Sequence, residues 1–282
     1  MSLRLLKRPI NIGSKAPISQ LRLKSGLAQA NNDLPSFPSR WFADLQAQLK
    51  KFTSDSYPSS CVQEAERQLV SNDQNWLQLL AGQQGFLIDK KWRGLDNHQL
   101  LWGDMHGKWI SFASFWDKTN IFRVGHVNNV MYNRYVETGR VHFIRQHSLD
   151  AAEHHKAQWD DLVTPRSLGL ILKSITTEYK FPLEFPDHIT VLYKLAEAPT
   201  NESTSLKMEA WILSEQYRRL AARCIDDTAI YDYTTAKKTV LKPFMVEKFQ
   251  QTFSMQQANQ KKYTEQAKQA LEAAKELQIK YK

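Results

Sequence analysis

The stretch FRVGHVNNVMYNRYVETGRVHFIR, Phe122 to Arg145, decides how the chain is read. It sets a glycine, a histidine and two asparagines ahead of a run in which Val127, Met131, Tyr135, Thr138, Val141 and Arg145 recur at three- and four-residue intervals. That spacing predicts a helix over 129–147 with this set as its inward stripe. Asn128 and Asn129 suit its start, since a short amide side chain can satisfy a first-turn N–H, and Gly125 permits close backbone approach. Thr138 and Gly139 are small enough for a sheet to pack closely on the helix. His126, beside Gly125 in a turn, is read first as a lock on the helix start through backbone hydrogen bonds, and second as a base.

The segments after Pro165 read as strands: LGLILKSITTEYKF, HITVLYKLAEA, SLKMEAWILS and RRLAARCIDDTAIYDY. Alternation is clear in the second and third, and FPLEFPD and APTNEST supply turn signals. One helix followed by antiparallel strands is an α+β layout, a sheet with one face covered by a long helix. Upstream, LLWGDMHGKWISFASF (100–115) reads as β-like, with a turn at His106 and Gly107. From Pro35 to about Leu95 the spacing is helical and carries no paired acids or histidine cluster, as expected for a structural cover or an interaction arm. The tail from about Phe244 lacks apolar heptads and is expected to form a long, largely solvated helix.

A chain of 282 residues, 42% hydrophobic, is long enough to bury a core. No apolar run approaches the roughly 20 residues of a bilayer span. Two cysteines, Cys61 and Cys224, show no metal-type spacing and no paired framework. The net charge is +9, and six of the positive charges are Arg4, Lys7, Arg8, Lys15, Arg22 and Lys24, ahead of the first acid, Asp33. The remaining excess (9 − 6 = 3) is too small to argue for nucleic acid, whereas a basic, acid-free 1–32 has the composition of a mitochondrial transit peptide.

GHVNNVMYNRYVETGRV resembles the signature of the hotdog-fold acyl-CoA thioesterases of the 4-hydroxybenzoyl-CoA thioesterase group, here in a mitochondrial, fungal-type form. EYKFPLEFPDHITV and ARCIDDTAIYDYTTAKKTVL resemble the later strands of that family, so the likeness covers roughly 97–242. The resemblance implies a hotdog fold, an antiparallel sheet wrapped around a long central helix, with helical N- and C-terminal extensions. The expected organisation is a transit peptide at 1–32, a helical extension at 33–96, the hotdog domain at 97–242 and a C-terminal helix at 243–282. The resemblance further implies a homodimer with the acyl site between subunits, acyl-CoA as substrate or ligand, and no metal or redox cofactor.

Thioester hydrolysis needs a base or a nucleophilic carboxylate, and a donor that stabilises charge on the carbonyl oxygen. Backbone amides at the start of the helix suit the donor role, so Gly125, His126, Val127, Asn128, Asn129 and Tyr132 are the expected substrate-binding residues. The family pattern D-x-x-G-H-V-N-N puts its aspartate where this chain has Phe122. In a second alignment WGDM (102–105) leads into the motif, 107–123 is an insertion, and His106 takes the aspartate position. Asp104, His106, Asp117 and Glu137 are therefore the candidate catalytic groups. The expected function is acyl-CoA hydrolysis; the alternative is an inactive hotdog protein with a structural or interaction role in a larger mitochondrial assembly.

Overall fold

The computed structural model describes residues 37–105 and 125–281. The expected transit peptide, His106, Asp117 and Phe122 lie outside them.

Five strands form one antiparallel sheet in the order β1 (Arg93–Gln99), β3 (His188–Leu195), β4 (Ser205–Ser214), β5 (Arg219–Asp232), β2 (Leu168–Tyr179), and the short β6 (Lys237–Lys238) pairs with β5. The long helix α4 (Asn129–Leu149) lies on the inner face. Alternation along the strands decides which side chains it meets: Ile189, Val191, Tyr193 and Leu195 of β3 and Met208, Ala210 and Ile212 of β4 share a core with Tyr132, Tyr135, Val136, Phe143 and Ile144. This is the hotdog fold.

α4 packs close at its middle. A Cβ built on Gly139 would lie 2.8 Å from Val191 Cγ1, and one on Gly94 of β1 would lie 2.3 Å from the Gly139 Cα. The expected small-residue contact is present, but the buried stripe is rotated from the predicted one. Tyr132, Tyr135, Val136, Gly139, Phe143 and His147 point inward, while Thr138 and Arg145 are exposed.

The outer face of the sheet is covered as well. Helices α1 (Trp41–Lys51), α2 (Ser59–Gln74) and α3 (Trp76–Leu80) build a second core with Leu192, Trp211 and Leu213, which point away from α4. Helix α6 (Pro243–Lys280) opens on a proline, whose missing N–H costs nothing in a first turn. It joins the two cores, placing Met245, Val246 and Phe249 in the first and Ala267, Ala274 and Leu277 in the second. The expectation of a largely solvated tail is thus corrected. Its inner stripe includes buried Thr252, Gln256 and Thr264, which carry no apolar periodicity yet are hydrogen-bonded. The Gln256 amide, for example, exchanges two hydrogen bonds with the Leu195 backbone at the end of β3.

Two further features differ from the sequence reading. β1 begins at Arg93, inside the stretch expected to be helical. Helix α5 (Glu153–Asp161) was not expected, because EHHKAQWDD shows almost no apolar face; Trp159, 1% exposed, anchors it against His147 and Phe249.

Candidate active site

The site is built at the N-terminus of α4. Asn128 caps the helix: its backbone is extended at φ −61°, ψ 137°, and its side-chain oxygen accepts from Val130 N at 3.1 Å. The preceding residues are tied down on both sides. Val127 pairs with Met105 in an antiparallel bridge, Val127 N donates to Leu183 O at 2.7 Å, and Asn128 N donates to Asp104 O at 2.8 Å. WGDM and GHVNN are therefore neighbours in space.

Asp104, 8% exposed, closes this corner. Its Oδ2 accepts from the Tyr135 hydroxyl at 2.8 Å and from Leu101 N at 3.1 Å. Burial, followed by the Asp104 carboxylate, pushes the Tyr135 phenol well above its ordinary range, so this hydroxyl remains a donor at any physiological pH. Trp102–Asp104, expected to be β-like, instead forms a 3-10 turn, because the Asp104 side chain reaches back to the Leu101 amide.

The expected binding residues divide into two groups. Val127 is fully buried, and Tyr132, 2% exposed, receives the Leu183 amide on its hydroxyl at 3.2 Å. Both shape the wall behind the helix start. Gly125, His126 and Asn129 face outward, and His126 Nδ1 lies 3.0 Å from Val127 O. The amides of Val127 and Asn128 are committed to backbone carbonyls, while the Asn129 N–H has no partner among the described residues. It is a first-turn amide at the positive end of a 21-residue helix, the type of group that stabilises an oxyanion.

Among the candidate acids, Glu137 stands apart from this corner. Its side chain is 69% exposed and lies 3.8 Å from Arg140. It follows Asn129 by eight residues on one helix, which is about 12 Å along the axis. Its carboxylate is joined to Arg140 and not to the corner formed by Asp104, Val127 and Asn128.

Sequence reasoning missed Asp226. It is 1% exposed on β5, where it accepts from the Tyr193 hydroxyl at 2.8 Å and from Arg140 at 3.3 Å. The signal was available: Asp226 shares parity with Cys224, Thr228 and Ile230, all buried, so alternation alone places an acid inside.

Residues 100–249, more than half of the chain, match the thioesterase-like superfamily. The chain is a member of that superfamily. Solved structures similar to this thioesterase-like chain include a thioesterase from Thermus thermophilus complexed with coenzyme A and Zn, at 17% identity over 46% of this chain and 83% of that one, TM-score 0.36. A DHNA-CoA thioesterase from Staphylococcus aureus is 14% identical over 51% and 85%, TM-score 0.36. The PA5185 protein from Pseudomonas aeruginosa is 16% identical over 49% and 83%, TM-score 0.35. A comparison with curated proteins found no match. No helix among the described residues of this thioesterase-like protein is long and apolar enough to cross a membrane.

Proposed function

We propose that the protein is an acyl-CoA thioesterase of the 4-hydroxybenzoyl-CoA thioesterase-like group, acting as a homodimer in the mitochondrial matrix. The observation that carries the reading is the Asn129 amide, without a partner among the described residues and on an exposed residue at the head of α4, in a thioesterase-like domain. The thioester oxygen accepts from that amide. Water attacks the carbonyl carbon, the carbon–sulfur bond breaks, and the products are a free acid and CoA. Glu137 takes the proton from water and returns it to the leaving sulfur.

The rise of about 12 Å along the axis from Asn129 to Glu137 favours a site completed by a second copy, whose antiparallel α4 would bring its Glu137 beside the Asn129 amide of the first. Two features favour such pairing. The α4 face bearing Asn133, Glu137 and Thr138 is exposed, and among the described residues β2 ends the sheet with a 12-residue edge. The basic, acid-free composition of 1–32 supports import into mitochondria.

Release of free CoA thiol from a panel of acyl-CoAs of increasing chain length tests the activity. Glu137→Gln, Asp104→Asn, His106→Ala and Asp117→Asn variants assign the base. The competing reading, an inactive hotdog protein in a mitochondrial assembly, is supported by Phe122, which stands where the resemblance puts an aspartate. It predicts no turnover at any chain length and co-sedimentation with a large particle. Fractionation of cells expressing the tagged full chain tests the compartment.

A further inference from the structure

Below the exposed face of α4, a buried acid and an exposed acid share one guanidinium. Arg140 Nη1 donates to Asp226 Oδ2 at 3.3 Å, and Nη2 lies 3.8 Å from Glu137 Oε1, an ion-pair contact longer than a hydrogen bond. The Arg140 side chain is 12% exposed, that of Asp226 1% and that of Glu137 69%. The planar fork of an arginine faces two acids in a fixed geometry, whereas a lysine ammonium on its flexible stem fixes none. Asp226 is itself fixed by the Tyr193 hydroxyl of β3, and β5 is paired on both sides, with Met208 of β4 and Ile175 of β2 opposite Asp226. The neighbouring charge on the same strand, Asp227, pairs with Lys173 of β2.

The arrangement is costly as a stability device. Asp226 Oδ1 is buried without a hydrogen-bond partner among the described residues, and burial pushes this carboxyl up despite Tyr193 and Arg140. A buried, half-satisfied carboxylate is a poor contributor to folding compared with an apolar residue of similar size. What it does accomplish is to tie a long, otherwise mobile arginine to the rigid centre of the sheet, with the second guanidinium nitrogen left for the solvent side of the helix.

We infer that Arg140 and Asp226 are positioning residues for Glu137: Asp226 anchors the guanidinium, and the guanidinium holds the Glu137 carboxylate in one orientation on the open face of α4. This rests on the reading of Glu137 as the base, and deepens it by naming what aims that base. A surface glutamate without such a partner samples many rotamers, and a loss of aim lowers turnover without weakening substrate binding.

Kinetics of the full chain with Asp226→Asn, Arg140→Lys and Glu137→Gln, alone and combined, test the inference, with thermal midpoints as the fold control. Asp226→Asn and Arg140→Lys are expected to lower kcat about tenfold or more with KM nearly unchanged, and to cause no further loss in the Glu137→Gln background. Equal losses with and without Glu137 would mean a general structural role and overturn it. Should the wild-type chain turn over no acyl-CoA, the thioesterase reading fails separately. The positioning claim is then decided by 13C relaxation of the Glu137 side chain, expected to be ordered in the wild type and mobile in Arg140→Lys and Asp226→Asn. Equal mobility in all three overturns it.

Discussion

Gly94 and Gly139 meet backbone to backbone, and no side chain fits between β1 and α4 at this crossing: a Cβ on Gly94 would lie 2.3 Å from the Gly139 Cα. The two glycines set how closely the central helix approaches the sheet, and hence where the head of α4 sits. Gly94→Ala is expected to destabilise the protein by about 1–3 kcal/mol or more, since backbone must move to relieve the clash. Gly139→Ala should cost less, because its clash is with the Val191 methyl and alanine gains up to about 1 kcal/mol of helix propensity. Urea denaturation of both variants checks the order.

His147 gives the fold a dependence on acid. It is fully buried among Phe143, Trp92, Trp159 and Phe249, with one ring nitrogen 2.8 Å from Phe143 O and the other 3.0 Å from the Thr252 hydroxyl of α6. Burial lowers its pKa from 6.5 to about 4. Above pH 6.5 the ring is neutral in both the folded and unfolded chain, so its contribution is fully present. Between 6.5 and 4 only the unfolded chain takes up the proton, and about 3 kcal/mol of stability is lost as the pH falls. His147→Gln should be less stable at neutral pH yet lose less between pH 6.5 and 4, as measured by denaturant titration at each pH.

The Asn129 amide can be removed without disturbing the helix. Asn129 is its first residue, and Asn128 already has the extended backbone that precedes proline well. Asn129→Pro is expected to keep the far-UV dichroism and thermal midpoint while lowering kcat by about 10²–10³, the usual loss for one oxyanion donor. Unchanged kcat would move the oxyanion site elsewhere.

Glu137→Gln should lower turnover by about 10²–10⁴ with little effect on stability, since the side chain is mostly exposed. Mixing Asn129→Pro and Glu137→Gln chains offers a sharper result. A site shared between copies regains activity in the mixed dimers, whereas a site within one chain stays inactive at every ratio.

Asp104 is expected to behave as a structural acid. Asp104→Ala strips the Tyr135 hydroxyl and the Leu101 amide of their acceptor and should cost about 1–3 kcal/mol, visible as a lowered thermal midpoint. Asp104→Asn, which can still accept both bonds, should retain most of that stability and most of the turnover.

The helix that starts at GHVNN, the strands that follow it, the helical extensions and the close packing at Gly139 were legible in the chain, because each is written in local spacing, capping chemistry or the absence of a side chain. The sequence also placed the likeness to thioesterases on residues 97–242. It did not reveal which side of α4 faces inward, since Thr138 and Val141 fit the same three- and four-residue rhythm as Tyr132 and Val136. The buried stripe of α6 was hidden for a related reason: its inner positions hold alanines and hydrogen-bonded Thr252, Gln256 and Thr264 as well as large apolar residues. Tertiary structure alone decided that WGDM lies against GHVNN, that Asp104 is spent on Tyr135 and Leu101, and that Asp226 reaches Glu137 through Arg140. The hydrogen bond between Arg140 and Asp226 joins residues 86 positions apart; a sequence records what each side chain offers, and only packing decides which offers meet.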